Sequence, residues 1–381
     1  MRLLENRYIR EDMEAVASSP QIEWERFRGK TIAVTGATGL LGKLLVCALL
    51  KADAKYNLNL CVQAFVRDRK KAERIFAGIE KDLAYDDVDS ESMGCTCAAQ
   101  ISAGVKTDRL NYVVQDIACP PAEGLRADFL IHTAANTVSR LMIEQPVETI
   151  LTAVEGTKAM LEYAARCQME SAVYLSSMEV YGITPENAGE LREKDLGFID
   201  PTEVRSSYSE GKRICECLCA AYASEYGVPV KIARLSATSG PGIDPEDKRV
   251  IGQFARSVIH GDDIILHTKG DKANCYCYTA DALTGILFLL LNGAPGEAYN
   301  ICNPETFCSI RQLADTFAAL DETGTVQVVV DIPENAQSLG YAPSSVMKLN
   351  AEKFLSLGWK PQTGLREMAR RITGSIREET E

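Results

Sequence analysis

The sequence predicts an α/β protein, a doubly wound parallel sheet followed by a smaller C-terminal α/β lobe that binds substrate. Three observations carry this reading. Strand-like apolar runs alternate with helix-like periodic segments along most of the 381 residues, which is the pattern of a parallel sheet flanked by helices. An early strand, Thr31–Thr35, runs directly into a glycine-rich turn and an apolar helix. Beyond Gly240 the elements shorten, as expected of a second unit packed on the strand ends of the first with a ligand crevice between them.

The elements follow in order. Residues 1–29 read as an N-terminal helical extension, with a short helix around Arg10–Ser18 and then a loop. Residues 30–240 hold the main sheet. Thr31–Thr35 is its first strand and Leu40–Lys51 an amphipathic helix. Leu60–Val66 is a second strand, and a charged helix follows from Asp68 to about Leu83. Residues 86–108 are acidic, then rich in Ser, Gly and Cys, and read as an irregular insertion. Leu110–Ile117, Phe129–Thr133, Ala172–Ser177 and Val228–Ser236 continue the strands, with long helices at Pro146–Arg166 and Glu203–Tyr226. Residues 241–381 form mainly the substrate lobe, interleaved with the first unit. Its elements are Ile264–His267, Cys275–Thr279, Ala280–Leu291, Ala298–Cys302, Ser309–Leu320, Val326–Asp331 and a final helix from Leu365 to about Ile376.

Composition narrows the function. Lys and Arg total 41 against 53 Asp and Glu, a net charge of −12, and no basic stripe offsets it, so a nucleic-acid partner is not expected. The longest apolar run, near Ile286–Leu291, is far short of the roughly 20 residues of a membrane span, so no membrane association is expected. No secretory apolar region follows Met1, and the 13 cysteines are an odd number; free thiols in a reducing cytoplasm are expected. Cys95/Cys97, Cys215/Cys217 (with Cys219) and Cys275/Cys277 lack zinc-knuckle spacing. They read as small buried or half-buried hydrophobes. With only 3 scattered histidines, His132, His260 and His267, no metal site is expected.

The turn Gly36-Ala-Thr38-Gly39-Leu40-Leu41-Gly42 has a physical logic. One glycine permits a tight backbone path, one lets a pyrophosphate approach the amides, and one lets helix and strand pack closely. The helix start offers free N–H groups and a positive dipole end. Together with the strand before it and the strands after it, this is a Rossmann-type dinucleotide site. The second strand ends at Val66-Arg67-Asp68. An acidic residue there suits the ribose of NAD, whereas Arg67 suits the 2′-phosphate of NADP. NAD is the expected cofactor, with NADP left open by Arg67. Asp116, with Ile117, ends the third strand and can face the adenine; a strand-end cap explains Asp116 equally well.

Tyr208 and Lys212 lie four residues apart at the start of a helix, on one face. An ammonium beside a phenol is expected to lower the phenol's pKa from about 10 toward neutral. That would make Tyr208 an acid/base at a carbinol oxygen. Alone, such a pair is common. Ser177, at the tip of the strand in Tyr174-Leu-Ser-Ser177-Met178-Glu179-Val-Tyr-Gly182, supplies a hydroxyl that points into the crevice.

On these motifs the chain resembles an extended short-chain dehydrogenase/reductase of the NAD-dependent epimerase/dehydratase type, from about Lys30 to Ile376. The matching stretches are Thr35–Gly42, Asp116-Ile117, His132-Thr133-Ala134-Ala135, Gly156-Thr157, Ser176–Gly182, Tyr208–Lys212, Arg234, Gly240-Pro241, Asn303-Pro304 and Leu357-Gly-Trp359. Val204–Arg213 and the Ser-x-x-Glu-Val-Tyr-Gly stretch most resemble UDP-glucuronate decarboxylases. The resemblance implies that Ser177 hydrogen-bonds the reacting hydroxyl, Tyr208 moves its proton, and Lys212 holds the nicotinamide ribose. It implies cofactor contacts along Gly36–Gly42 and at Thr133, Ala134, Ala135 and Leu235. Glu179 matches a carboxylate that serves a second step in decarboxylases and dehydratases, although a structural carboxylate would look the same. Homodimerisation through the Tyr208 helix is implied as well, and Cys215, Cys217, Cys219 and Ala220 would allow close helix approach there.

The departures bear on the reaction. Met178 stands where dehydratases place an Asp, and a thioether donates no proton. Ala153, Ala237 and Asn274 replace two Asn and one Arg that normally help grip a diphosphate. Lys269, Lys272 or Arg249 could substitute, unless they are solvated surface charges. The expected function is a redox-neutral enzyme on a sugar nucleotide or related polyol, acting through a transient 4-keto intermediate, with 4-epimerisation first. The alternatives are a uronate decarboxylase and a net NAD(P)H-dependent reductase or dehydrogenase of a non-nucleotide alcohol.

Overall fold

The computed structural model describes residues 3–79, 109–185, 189–333 and 346–380; the 86–108 insertion, with Cys95 and Cys97, lies outside them. The chain opens with α1 (Arg7–Ala17), whose N-terminal amides are capped by the Asn6 side chain. Then come β1 (Thr31–Thr35), α2 (Leu40–Tyr56), β2 (Cys61–Val66), α3 (Arg69–Ile75), β3 (Leu110–Val114), β4 (Phe129–His132), α4 (Ser139–Glu144) and α5 (Pro146–Cys167). Next are β5 (Ser171–Ser177), the two-residue β6 (Glu190–Leu191), α6 (Ser206–Tyr226), β7 (Val230–Leu235) and β8 (Ala237–Ser239). The remainder holds α7 (Val250–His260), β9 (Ile264–Leu266), β10 (Ala273–Tyr278), α8 (Thr279–Asn292), β11 (Ala298–Ile301), β12 (Asn303–Ser309) and α9 (Ile310–Ala318). It closes with β13 (Val328–Val330), β14 (Val346–Leu349), α10 (Glu352–Leu355) and α11 (Leu365–Thr380).

Seven strands form the main sheet in the order β3-β2-β1-β4-β5-β7-β11, and every neighbouring pair is parallel. The order reverses between β1 and β4, which opens a crevice at their C-terminal ends. Ile32, Ala33, Val34 and Thr35 are all fully buried, as a parallel strand covered on both faces requires. Side chains alternate between the two layers. Ile32, Val34, Val62 and Val173 pack with α2 and α8 through Leu45, Leu49, Ile286 and Leu290. Ala33, Phe65, Leu130 and Tyr174 pack with α5 and α6 through Met160, Tyr163, Cys215 and Cys219.

The smaller unit is a mixed sheet, β12-β10-β14-β6 with β8 beside β10, plus a β9–β13 pair. Its core joins α7, α9 and α11 through Phe254, Leu313, Phe317, Met368 and Ile372. Two features depart from the sequence-based reading. Helix α7 was not anticipated, although Ile251, Phe254, Ala255 and Val258 follow a helical period and are buried. Helix α8 and strand β11 belong to the large sheet: β11 pairs with β7 as the edge strand, and α8 is buried along nearly its whole length, which only a position between layers satisfies. The N-terminal extension, read as a short helix and a loop, also contributes to the main core, where Ile9, Met13, Val16, Trp24 and Phe27 sit. Each such side chain stabilises the fold by about 1.5–3 kcal/mol. Helix α1 is also bonded to α11: Asn6 Nδ2 donates to the Ser375 carbonyl at 3.1 Å, and Arg371 pairs with Asp12 at 2.9 Å.

Candidate active site

The glycine turn joins β1 to α2 at the crevice. Gly36 has a φ of +61°, and a Cβ there would lie 2.8 Å from Thr133 Oγ1 and 2.9 Å from Ala134 Cα. A Cβ on Gly42 would come within 2.2 Å of the Gly36 carbonyl oxygen, whereas one on Gly39 would meet that atom at 3.3 Å. Gly39 is the N-cap of α2 and offers no side chain to its amides, so the first turn presents open N–H groups to an anion. Thr38, Leu40 and Leu41 are half-buried around it. A cradle that a single methyl would fill, at an uncapped helix start, fits a dinucleotide pyrophosphate.

Behind the turn, β1 and β4 are locked at their tips. Thr35 Oγ1 accepts the amides of Thr133 at 3.0 Å and Ala134 at 3.1 Å. It lies 2.7 Å from His132 Nδ1. With both lone pairs used, the Thr35 hydroxyl hydrogen goes to Nδ1, which leaves Nε2–H of His132 to donate to Thr157 Oγ1 at 3.3 Å. Burial drives the His132 pKa down to about 3, with the Lys212 charge acting in the same direction. This histidine is a neutral strut, consistent with acid/base work done elsewhere. Ala135 is half-buried just beyond it, and Leu235 ends β7 in the core.

The adenine end is less organised. Arg67 is exposed after β2, and Asp68 is used as the N-cap of α3, accepting the Lys71 amide at 3.0 Å. Asp116 is exposed and its carboxylate accepts the Ala118 amide at 2.9 Å. Ile117 is buried against Gly156, where a Cβ would lie 2.9 Å from Ile117 Cγ2.

At the tip of β5, Ser177 caps a 3-10 turn, Met178–Tyr181, and its Oγ accepts the Glu179 amide at 3.2 Å. The Ser177 side chain lies close enough to Tyr208 to act on its pKa, so the strand tip and the first turn of α6 face one another. The expected pKa effect on Tyr208 is corrected. Burial first, and then the nearby Glu179 carboxylate, push the Tyr208 phenol up to about 12, while Ser177 opposes them. Lys212 does not offset this, because its Nζ donates to the Leu175 carbonyl at 2.6 Å. It lies 4.6 Å from the Tyr174 ring centre and 5.9 Å from that of Tyr208. Burial lowers the Lys212 pKa to about 8.

Glu179 sits beside this pair. Arg205 Nη2 reaches its Oε2 at 3.0 Å, and Ser209 Oγ donates to the same oxygen at 3.3 Å. Met178 is half-buried and packs with the Val180–Tyr181 cluster. Ala153 is half-buried on α5 and Asn274 is buried in β10. Arg249 is held by Asp247 at 2.5 Å, and Lys269 is exposed. Sequence reasoning missed Arg205, Ser209 and Glu216. The clue for Glu216 was its place one helical turn after Lys212; for Arg205 and Ser209 it was their closeness to Tyr208 in the chain. Among the described residues no cluster of metal-ligating side chains occurs.

The model of the NAD dependent epimerase/dehydratase family matches residues 32–302. The chain belongs to that family. It is 30% identical over 247 residues to UDP-glucuronic acid decarboxylase 3 of Arabidopsis thaliana, covering 64% of this chain and 68% of the relative. An epimerase from Methanothermobacter thermautotrophicus superposes with a TM-score of 0.72 at 20% identity, over 96% of both chains. UDP-glucuronic acid 4-epimerase from Bacillus cereus, solved with UDP-glucuronic acid and NAD, superposes with a TM-score of 0.69 at 19% identity, over 92% of this chain and 99% of that one. The family's cofactor is NAD, and the Gly36–Gly42 cradle of this member fits it.

Proposed function

We propose that this family member is a redox-neutral sugar-nucleotide enzyme, and that 4-epimerisation is its reaction. The observation that carries the reading is the meeting of Ser177, Tyr208 and Lys212 beside the Gly36–Gly42 cradle. Thr38, Gly39, Leu40 and Leu41 would hold the pyrophosphate of NAD, Asp116 and Ile117 the adenine side, and Thr133, Ala134, Ala135 and Leu235 the side toward the nicotinamide. Lys212 would reach the ribose. Held there, NAD would supply the reversible hydride acceptor for the sugar carbon and a positive charge that would favour the Tyr208 phenolate. Ser177 donates to the sugar oxygen and Tyr208 takes its proton as the carbonyl forms. The same phenol returns the proton when the alcohol is restored on the other face. No metal is assigned.

A second reading, decarboxylation of a UDP-uronate, is favoured by one observation: Glu179 lies next to Tyr208 and is oriented by Arg205 and Ser209. There Glu179 would assist the step that follows C4 oxidation. We also place the protein in the cytoplasm as a homodimer. The eleven described cysteines carry free thiols, which suits a reducing compartment. Among the described residues no helix is long and apolar enough to cross a membrane. Val147, Ile150 and Leu151 of α5 and Ile214 of α6 are exposed, which supports a helical interface. Cys215 and Cys219, by contrast, point inward against α5 and do not supply the close approach expected of them.

The test is to incubate the purified protein, without added cofactor, with UDP-glucose, UDP-galactose, UDP-N-acetylglucosamine and UDP-glucuronate, and to follow products by chromatography and carbon dioxide release. Interconversion of 4-epimers is expected. Carbon dioxide from UDP-glucuronate would establish the second reading. An empty protein that consumes free NADPH with a simple ketone would overturn both. Light scattering of wild type and Leu151→Glu should give a dimer and a monomer.

A further inference from the structure

A buried ion pair ties together the segments that carry the site. Glu216 follows Lys212 by four residues and shares its helix face. Its Oε1 accepts from Ser176 Oγ at 2.5 Å and from Arg234 Nε at 2.9 Å, and its Oε2 accepts from Arg234 Nη2 at 2.6 Å. Arg234 Nη1 turns to the Tyr181 hydroxyl at 3.2 Å and the Glu193 carbonyl at 2.5 Å. Tyr181 in turn donates to Asn300 Oδ1 at 2.7 Å. Three of these residues lie beside site residues. Ser176 precedes Ser177 on β5, Tyr181 ends the turn bearing Glu179, and Arg234 precedes Leu235 on β7. The side chains of Arg234 and Glu216 are only 6% and 10% exposed. A pair so far from water gains little net stability over an apolar one, so a return in geometry is the reason to look for a role.

We propose that Glu216 is a positioning residue of the active site: it registers the Tyr208–Lys212 helix against the tips of β5 and β7 and sets its carboxylate one turn from Lys212 on the same helix face. This rests on the function proposed above. The groups facing Lys212 are few. On α6 they are Tyr208, Cys215, Glu216 and Cys219. From β5 come the Tyr174 ring and the Leu175 carbonyl, and from β4 comes His132, which is neutral. Glu216 is the carboxylate of this set. Burial pulls the ammonium toward neutrality, and Cys215, Glu216 and Cys219 oppose it.

The experiment compares Glu216→Gln and Glu216→Asp in the full chain. Lys212 is titrated by NMR of its labelled Cε in the NAD-free protein, with Lys212→Met for assignment, and kcat and KM are measured on the sugar nucleotide that wild type turns over. Glu216→Gln should lower the Lys212 midpoint by about one pH unit or more. It should cut kcat about a hundredfold by misplacing the helix, with KM little changed. Glu216→Asp keeps the charge and should restore the midpoint while recovering only part of kcat. If Glu216→Gln does not fold, Glu216→Gln/Arg234→Met, which removes both buried charges, is read by kcat alone. A Lys212 midpoint and kcat both like wild type would overturn the proposal, and so would a change in one without the other. If wild type turns over no sugar nucleotide, the functional reading fails and the Lys212 midpoint alone decides the role of Glu216.

Discussion

The ammonium of Lys212 lies 5.9 Å from the ring centre of Tyr208 and is bonded to the β5 backbone instead. Before NAD binds, then, Tyr208 is an ordinary phenol held neutral by burial and by Glu179. Its chemistry depends on one oxygen. Tyr208→Phe should reduce turnover by about 10²–10⁴-fold, with NAD released on denaturation in wild-type amount. Chromatography of the sugar product and of the released nucleotide checks both halves.

The state of Lys212 gives a pH dependence with a definite sign. Its folded pKa is lowered to about 8, so the ammonium is present below that pH and lost above it. NAD affinity of the empty protein should weaken as pH rises through about 8, and titration calorimetry would show it. Lys212→Met should bind more weakly at neutral pH and lose the dependence. An affinity flat across this range in wild type would remove Lys212 from the ribose.

The three glycines of the turn are not equivalent. Gly42→Ala would drive a methyl against the Gly36 carbonyl at 2.2 Å, whereas Gly39→Ala meets it at 3.3 Å. The first should cost about 1–3 kcal/mol of stability through overpacking and release NAD. The second should cost far less stability and weaken NAD mainly by crowding the amides. Melting curves with and without NAD separate the two effects.

Acid stability should reflect two buried groups of opposite sign. His132 has a folded pKa of about 3, below its free value of about 6.5. The unfolded chain therefore binds the proton first, and stability falls as pH drops below about 6.5, at up to about 1.4 kcal/mol per pH unit. Asp12 is raised by burial to about 6, so the folded chain binds the proton first and stability rises as pH drops through that value. Denaturant unfolding between pH 4 and 7 should show His132→Gln with a weaker acid loss and Asp12→Asn with a stronger one.

Much of the large sheet was legible because its signals are local. A buried parallel strand is a short apolar run, and Thr31–Thr35 and Phe129–His132 stand out as such. The turn was legible because steric demand selects glycine in sequence order. The Ser177–Tyr208 meeting was legible from strand-tip and helix-start positions. What escaped were pairings fixed only by packing. Nothing local assigns β11 to the edge beside β7 rather than to the smaller sheet. Two-residue strands such as β6 have no period to detect. The pKa of Tyr208 was misjudged because one-turn spacing places Lys212 on the right face but does not say where a long flexible chain ends. Here a backbone carbonyl captured it.

The bond from Asn6 to Ser375 spans nearly the whole described chain. Helix α1 leaves the ribosome well before its partners on α11, with Asn6 and Ser375 separated by 369 positions. Asn6 and Asp12 must therefore stay without these partners until α11 is made. Such long-range closure is slow and leaves apolar surface open meanwhile. Expression yield should therefore respond to chaperone supply and to truncation within α11 more than to changes in the mid-chain surface.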